Sequence, residues 1–422
     1  MEMGILILKA YLLFVMGIML LYTCRHFLFT LNRSFGRQRI SCHDIVDSDL
    51  PVVSVLIPMH NEEKTVAHIL NRLISVDYPP DKVEIIPIND HSADKTGEIL
   101  DHYAAKYPQI TPLHRSSGER GKPVGLNDAL SIARGEIIII FDADYLPPRG
   151  ILRDMAVCFK DPEVGALMGR VIPDNSFKNL LTRLLDLERS GGYQVDQQAR
   201  FNMRLIPQYG GTVAGFRKQP VVALGGFNPA ILAEDTELTF KLFINGWKVA
   251  YANRIECYEE APERWDVRAR QIRRWARGHT QVMFRYFFPL LRSPHLSLTE
   301  KIDGLFLLFV YTTSPILLVG IGDSLVLFFL GEMQILASAL VFLFLTSLNT
   351  FGNFAPFYQV GMASVLDGAT IRLRLLPFLL FNFFINMWYV SFGFAEALID
   401  LVTRRKSVWH KTERFRSKGQ EL

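Results

Sequence analysis

The chain has 422 residues, enough for a catalytic domain plus a second region, and 49% of them are hydrophobic, with 31 phenylalanines among them. Four cysteines (Cys24, Cys42, Cys158, Cys257) are scattered, with no pair at metal or redox-motif spacing. That excludes a disulfide framework and fits a reducing compartment. The net charge of +4 is small, so charge informs by its position rather than its total.

Gly4 to Thr23 is an apolar segment of the length that crosses a bilayer, interrupted only by Lys9. A cleaved signal peptide carries its charge first and small residues at its end. Here Lys9 lies inside the segment and bulky, basic residues follow. The segment therefore reads as a retained membrane helix (1–24), with Lys9 snorkelling or facing another helix. Arg25, Arg33, Arg37 and Arg39 follow in a basic linker (25–51), and the positive-inside rule places the next domain in the cytoplasm.

From residue 52 to 262 the texture is that of an α/β domain. Val52 to Pro58 reads as a short buried strand with His60, Asn61 and Glu62 just after it, and Glu63 to Ser75 has helical spacing. Val83 to Ile88 is a second strand ending in Asn89 and Asp90, Ser92 to Lys106 a helix, and Ile110 to His114 a third strand. Lys122 to Arg134 reads as a helix with Gly135 as its C-cap. Then comes GEIIIIFDADYL, Gly135 to Leu146: an apolar run suited to a strand buried on both faces, breaking into Asp142, Ala143 and Asp144. Two carboxylates at the end of a buried strand are costly unless a cation pairs with them, and hard oxygen donors suit Mg²⁺ or Mn²⁺. An acidic turn would look the same. Strands alternating with helices imply a largely parallel sheet, whose ligands bind beyond the carboxyl ends of its strands. His60 to Glu62, Asp90, and Asp142 with Asp144 converge there, which points to a nucleotide or phosphate ligand.

Leu180 to Ala199 is a helical stretch, and Gly210 to Thr212 a turn into Val213 to Arg217. Ala233, Glu234 and Asp235 open another helix, and Val249 to Ala252 is a final strand. Residues 263–300 are basic and aromatic, as in an amphipathic helix lying on an anionic bilayer surface. Nucleic acid attracts such stretches too, but the apolar segments that follow favour the membrane, with no nucleic-acid partner. Leu305 to Leu330, Gln334 to Leu366 and Leu375 to Leu398 form a membrane bundle (301–402). Within it Asp323 and Glu396 are expected to face other helices or a wet channel. The tail (403–422) is basic and expected to be cytoplasmic, which requires the uncharged middle stretch to cross twice.

Four motifs in order, with apolar flanks, carry a family resemblance: Asp90 after an early strand, the DxD of Asp142 and Asp144, a TED-like Ala233-Glu234-Asp235, and QxxRW as Gln271 to Trp275. The chain resembles the processive, membrane-integrated family 2 glycosyltransferases that make cellulose, hyaluronan, chitin oligosaccharides and poly-N-acetylglucosamine. The resemblance implies a GT-A-type nucleotide-diphospho-sugar transferase domain plus an α-helical transmembrane region. It also implies inverting transfer from a UDP-sugar to a growing polysaccharide exported through the bundle. The alternative is a membrane-lipid acceptor, and the two are told apart by an enclosed polar path against a laterally open apolar groove. A silent scaffold is a third reading, against which the retained carboxylates speak. Accessory subunits and oligomeric state stay open.

In the implied site, Asp235 is the base that takes the acceptor proton. Asp144 holds the metal, with Asp142 on the metal or the ribose. Lys122 and Arg274 reach the diphosphate, and His60, Glu62 and Asp90 line the nucleoside end. Glu234, Gln271 and Trp275 serve the acceptor, Trp275 as a face on which a sugar stacks. Ala233 stands where the family commonly has Thr. Glu62 and Lys122 also suit a plain helix N-terminus, and Gln271 and Arg274 a plain surface helix.

Overall fold

The computed structural model describes residues 2–39, 49–333 and 354–403. Its sheet grows outward from β1 (Val53–Met59), which lies parallel between β2 (Val83–Asp90) and β4 (Ile137–Ile140). The four isoleucines of β4 are all 0% exposed, as a strand without polar alternation requires. β3 (Leu113–Arg115) extends β2 in parallel, and Ile110 makes only an isolated bridge to Ile85, so the third strand starts later than its apolar residues suggest.

Beyond β4 the sheet changes direction. β6 (Ala214–Arg217) runs antiparallel to both β4 and β5 (Val164–Pro173), and β7 (Lys248–Glu259) returns parallel to β5. The order is β3-β2-β1-β4-β6-β5-β7. The sheet is thus mixed rather than simply parallel, and its last strand runs well past Ala252. The reversal of β6 delivers its starting turn, Gly210 to Thr212, to the edge where β1, β2 and β4 end.

Two local features fix the middle of the sheet. Glu84 is buried on β2 because its carboxylate accepts from Ser54 Oγ (2.6 Å), the Arg134 N–H (2.9 Å) and Arg134 Nε (3.0 Å). Gly135 is not a helix cap: the preceding helix, Lys122–Ile132, closes at Ala133. A Cβ on Gly135 would lie 2.3 Å from the Ser54 amide nitrogen, so glycine is needed for close approach to β1.

Among the described residues, three helices are long and apolar enough to cross a membrane by length and composition: Glu2–Phe35, Val310–Phe329 and Thr370–Thr403. The first does not end at Thr23. Residues 25–35 of the expected linker are helical because their basic side chains find partners in the α/β domain. Arg25 donates to Asp196 (2.6 Å) and Arg33 to the Gln194 carbonyl (2.7 Å). Arg200 completes a buried network, pairing with Asp303 (2.5 Å) and Asp196 (3.3 Å). The helix Leu180–Ser190 likewise does not run on regularly: Gly191–Gln197 is π-helical, and it carries Gln194 and Asp196 to these arginines.

Lys9 pairs with Glu332 at 2.6 Å, so it faces a neighbour rather than snorkelling. The apolar run from Leu305 breaks into Leu298–Leu308 and Thr313–Phe329 around a turn at Val310–Thr312. The long helix Trp265–Arg292 lies along the last helix, Leu376–Thr403, through two ion pairs: Arg273 with Glu396, and Arg277 with Asp400 (2.5 Å). At Gly393 the backbones nearly touch, for a Cβ there would lie 2.3 Å from the Arg273 carbonyl oxygen. Of the stretch Gln334 to Leu366, expected to cross twice, only the end is described, as the helix Ala355–Leu366; its residues 334–353 and the basic tail from Arg404 lie outside the described residues.

Gly135→Ala is expected to cost about 3 kcal/mol, at the upper end of core overpacking. Gly150→Ala should be close to neutral, since the nearest atom to its Cβ is 3.7 Å away. Thermal unfolding of the two variants checks this.

Candidate active site

Loops from β1, β2 and β4 meet at one edge of the sheet and are tied together by their own polar groups. Asn61, with φ of 54°, accepts the Ala93 N–H (2.7 Å) and donates its own N–H to Ser92 (2.9 Å). The Glu62 N–H donates to Thr96 Oγ1 (2.8 Å), and the Glu62 carboxylate, 6% exposed, accepts from Thr65 (2.9 Å). His60 Nδ1 lies 2.7 Å from the Asp90 carbonyl. The Asp90 carboxylate bonds Arg115 and His91 (2.8 Å) through one oxygen and the Gly121 N–H (2.9 Å) through the other. Asp90 therefore fastens the loop that ends at Lys122.

Lys122 begins the next helix, and its ammonium is the hub of the site. It donates to Asp142 (2.9 Å) and to the Gly211 carbonyl (3.1 Å), and lies 3.5 Å from Glu234. Burial alone would lower its pKa, but Asp142, Glu234 and Asp235 raise it, so it stays an ammonium. The Asp142 N–H donates to Thr212 Oγ1 (3.1 Å), which locks the DxD turn to the loop before β6. Asp144 is 2% exposed. After it, Tyr145 donates to Glu259 (2.8 Å), whose other oxygen pairs with Arg189 (2.8 Å).

Glu234 and Asp235 occupy the first turn of the helix Glu234–Ile244, where the helix dipole favours anions. Burial nevertheless raises both pKa values, and their mutual repulsion raises that of Glu234 further. Asp235 is held by the Thr236 N–H on Oδ1 (2.6 Å). The cap residue Ala233 makes no side-chain cap, and it sits against the QxxRW helix: a Cβ on Gly278 would lie 2.9 Å from the Ala233 Cβ. A smaller residue than Thr suits that contact. Gly211, at φ of 71°, would place a Cβ 3.0 Å from the Asp235 Cβ, so this loop too is pressed close.

From the QxxRW helix, Arg274 acts electrostatically on both Glu234 and Asp235. Gln271 instead accepts from Arg268 (2.9 Å). The Trp275 ring carries two guanidinium groups, Arg189 at 5.3 Å and Arg268 at 5.2 Å from its centroid. The expected sugar-stacking face is therefore already engaged by cations. Sequence reasoning missed Thr236 and His279. The Thr236 hydroxyl accepts from Gln208 (2.9 Å) and contacts His279 Nε2 (3.1 Å), and burial lowers the His279 pKa to about 4. The signal was present, for His279 lies four residues after Trp275 on the same helix face.

Among the described residues no three His, Cys, Asp or Glu side chains form a ready metal cage. Asp142 and Asp144 still fit a hard divalent cation, provided that a phosphate ligand completes its shell.

The sequence profile described as "Glycosyltransferase like family 2" matches residues 51–278, more than half of the chain. The chain belongs to glycosyltransferase family 2. It is 33% identical over 275 residues to the protein named "Probable glycosyltransferase YdaM" of Bacillus subtilis (strain 168), covering 64% of each chain. It is 32% identical over 254 residues to "Beta-monoglucosyldiacylglycerol synthase" of Synechocystis sp. (strain ATCC 27184 / PCC 6803 / Kazusa), covering 60% of the transferase and 53% of that relative. The chain thus spans between about half and two thirds of the length of these relatives. Among solved structures, the mannosyltransferase PcManGT of Pyrobaculum calidifontis, in complex with GDP-Man and Mn2+, superposes with a TM-score of 0.60 at 22% identity, over 85% of the transferase and 98% of that chain. That likeness shows the fold to be GT-A-like.

Lys122→Met should lower stability at neutral pH by about 2 kcal/mol. This is less than the loss of one partner from a fully buried pair, because the groups are partly hydrated. The variant's acids lose the cation that lowers their pKa values, so they become neutral at higher pH than in the wild type. The gap in unfolding midpoint between wild type and variant should close as pH falls, which thermal melts across pH check.

Proposed function

We propose that the protein is an inverting glycosyltransferase that moves a hexose from a UDP-sugar onto a hydroxyl of a membrane lipid, with its catalytic domain on the cytoplasmic side. The observation that carries this is an open cleft of about 490 Å³ beside the QxxRW helix, lined by Trp265, Leu318, Phe384, Ile385, Met387, Trp388 and Tyr389. Its lining is apolar and aromatic and comes mainly from two helices of membrane-spanning length. Acyl chains suit such a cleft, and a growing polysaccharide does not. The glycolipid synthases among the relatives support the same choice. The polysaccharide-exporting expectation gives way to its alternative.

Asp235 takes the acceptor proton. Its Oδ1 is held by Thr236, and Oδ2 is the oxygen assigned to the acceptor hydroxyl. The acceptor oxygen then forms a bond to the anomeric carbon as the bond from that carbon to the diphosphate breaks, and UDP leaves. Lys122 and Arg274 stabilise the departing charge. Asp144 and Asp142 would hold Mg²⁺ or Mn²⁺, which when bound neutralises diphosphate charge. His60, Glu62 and Asp90 form the nucleoside end, Asp90 partly through the Gly121 loop. Glu234 and Gln271 border the acceptor, and Trp275 holds Arg189 and Arg268 in place.

Purified protein given a panel of UDP-hexoses, Mg²⁺ or Mn²⁺ and diacylglycerol in micelles should yield a hexosyl lipid, read by mass spectrometry. Asp144→Asn should abolish that product, and a polymer in place of a lipid product overturns the reading. Asp235 must be ionised to act, and its pKa is raised, so activity falls as pH drops through that raised value. The acid limb of kcat/KM should therefore lie above the ordinary aspartate range. Asp235→Asn should lower kcat by roughly a hundred- to ten-thousand-fold while UDP still binds.

A further inference from the structure

Two asparagines of the last helix are placed in a way that its membrane-spanning character does not explain. Asn382 and Asn386 lie one turn apart, and Asn382 is 1% exposed. Each donates its amide N–H to the same oxygen of Glu188, at 3.2 and 3.3 Å, while Arg268 donates to the other oxygen at 2.5 Å. A carboxylate of this kind only accepts, so the amide orientation is settled: both Nδ2 atoms face Glu188 and both Oδ1 atoms face away. Among the described residues nothing donates to either Oδ1, and both are buried. Buried acceptors left without a donor are costly, and polar side chains in a membrane-spanning helix mark function by default.

What surrounds them points to a ligand. By helical spacing the two asparagines adjoin Ile385 and Tyr389, which form one side of the apolar cleft. The Glu188 side chain is 38% accessible although it lies among Arg268 and the two asparagines, so it borders open space. Tyr311 lies within electrostatic reach of Arg268 and Glu188 in this cluster and of the base Asp235. Its ring packs on His279 at 4.6 Å, and His279 contacts Thr236 beside Asp235.

We infer that Asn382 and Asn386 bind the polar end of the acceptor lipid, and that this end is neutral and carries hydroxyl groups. The inference rests on the lipid-acceptor reading above. Two acceptor oxygens need donors. A hydroxyl supplies one, whereas a phosphodiester group only accepts and, even where its headgroup carries hydroxyls, would bring negative charge beside Glu188. The acyl chains lie in the cleft, hydroxyls that are not themselves glycosylated donate to the asparagines, and the hydroxyl to be glycosylated extends past Tyr311 towards Asp235.

The test uses the full chain in nonionic micelles, with dioleoylglycerol, its monohexosyl derivative and dioleoylphosphatidylglycerol as acceptors. Asn386→Leu and Asn382→Leu should each raise KM for the monohexosyl lipid about tenfold, as expected for one lost hydrogen bond, and leave KM for dioleoylglycerol, whose one hydroxyl is the nucleophile, little changed, with UDP affinity retained as the sign of a folded donor site. Asn386→Ser, which keeps an acceptor oxygen, should recover part of the loss. Phosphatidylglycerol should be a poor acceptor throughout. Unaltered KM for the monohexosyl lipid in both Leu variants, use of dioleoylglycerol alone by the wild type, or its preferred use of phosphatidylglycerol, overturns the inference while leaving the lipid-acceptor reading intact. A wild type that glycosylates no lipid overturns that reading itself.

Discussion

One ammonium group among three carboxylates sets the geometry of the site. Lys122 bonds Asp142 from the end of β4 and the Gly211 carbonyl from the turn before β6, and reaches Glu234 at a helix start. Asp142, Glu234 and Asp235 would otherwise repel one another in a partly dry space. Neutralised by one lysine and assisted by Arg274, they are held close with net negative charge remaining. The nucleoside diphosphate of the proposed donor would add more negative charge to the same edge. A divalent cation held by Asp142 and Asp144 would offset that charge, in keeping with a DxD whose own carboxylates do not complete a metal cage.

The parts of this arrangement legible in the sequence were those in which a residue's type and its place along the chain both inform. Four consecutive isoleucines can only be a strand covered on both faces, and the acids after them can only sit at its end. The illegible parts depend on partners distant in the chain. Nothing near Arg25 reveals that Asp196 lies beside it, so the helix there was read as ending and its basic residues as linker. The reversal of β6 depends on pairing across the sheet with β4 and β5, which four residues of strand do not announce. The Trp275 ring is engaged by Arg189, some 86 positions earlier in the chain, and no local pattern shows it. His279 is the exception, since its helical spacing from Gln271 and Trp275 put it on the motif's face.

The catalytic edge and the apolar helices are joined by small residues and ion pairs rather than by a flexible tether. Gly278 lets the QxxRW helix rest on Ala233, one residue before the acidic pair. The Arg25, Asp196, Arg200 and Asp303 network attaches the first helix to the π-helical stretch. Asp367, between the last two apolar helices, accepts from Arg170 (2.7 Å) of β5 and from Ser190 (2.6 Å). The ion-paired joins are directional and the glycine contact is close, so the acidic edge and the apolar helices hold a defined separation.

The pairing of Arg273 with Glu396 and Arg277 with Asp400 makes a two-rung ladder, since both helices place their partners four residues apart. A ladder of this kind has discrete positions. Sliding one helix by a single turn, about 5.4 Å, aligns one arginine with the other's acid and strands the remaining two charges. Intermediate offsets satisfy neither rung, and the contact at Gly393 admits little separation of the backbones. The two helices therefore behave as a ratchet with one fully engaged notch, and the acidic pair that follows Ala233 on Gly278 is registered to the last helix by whole helical turns.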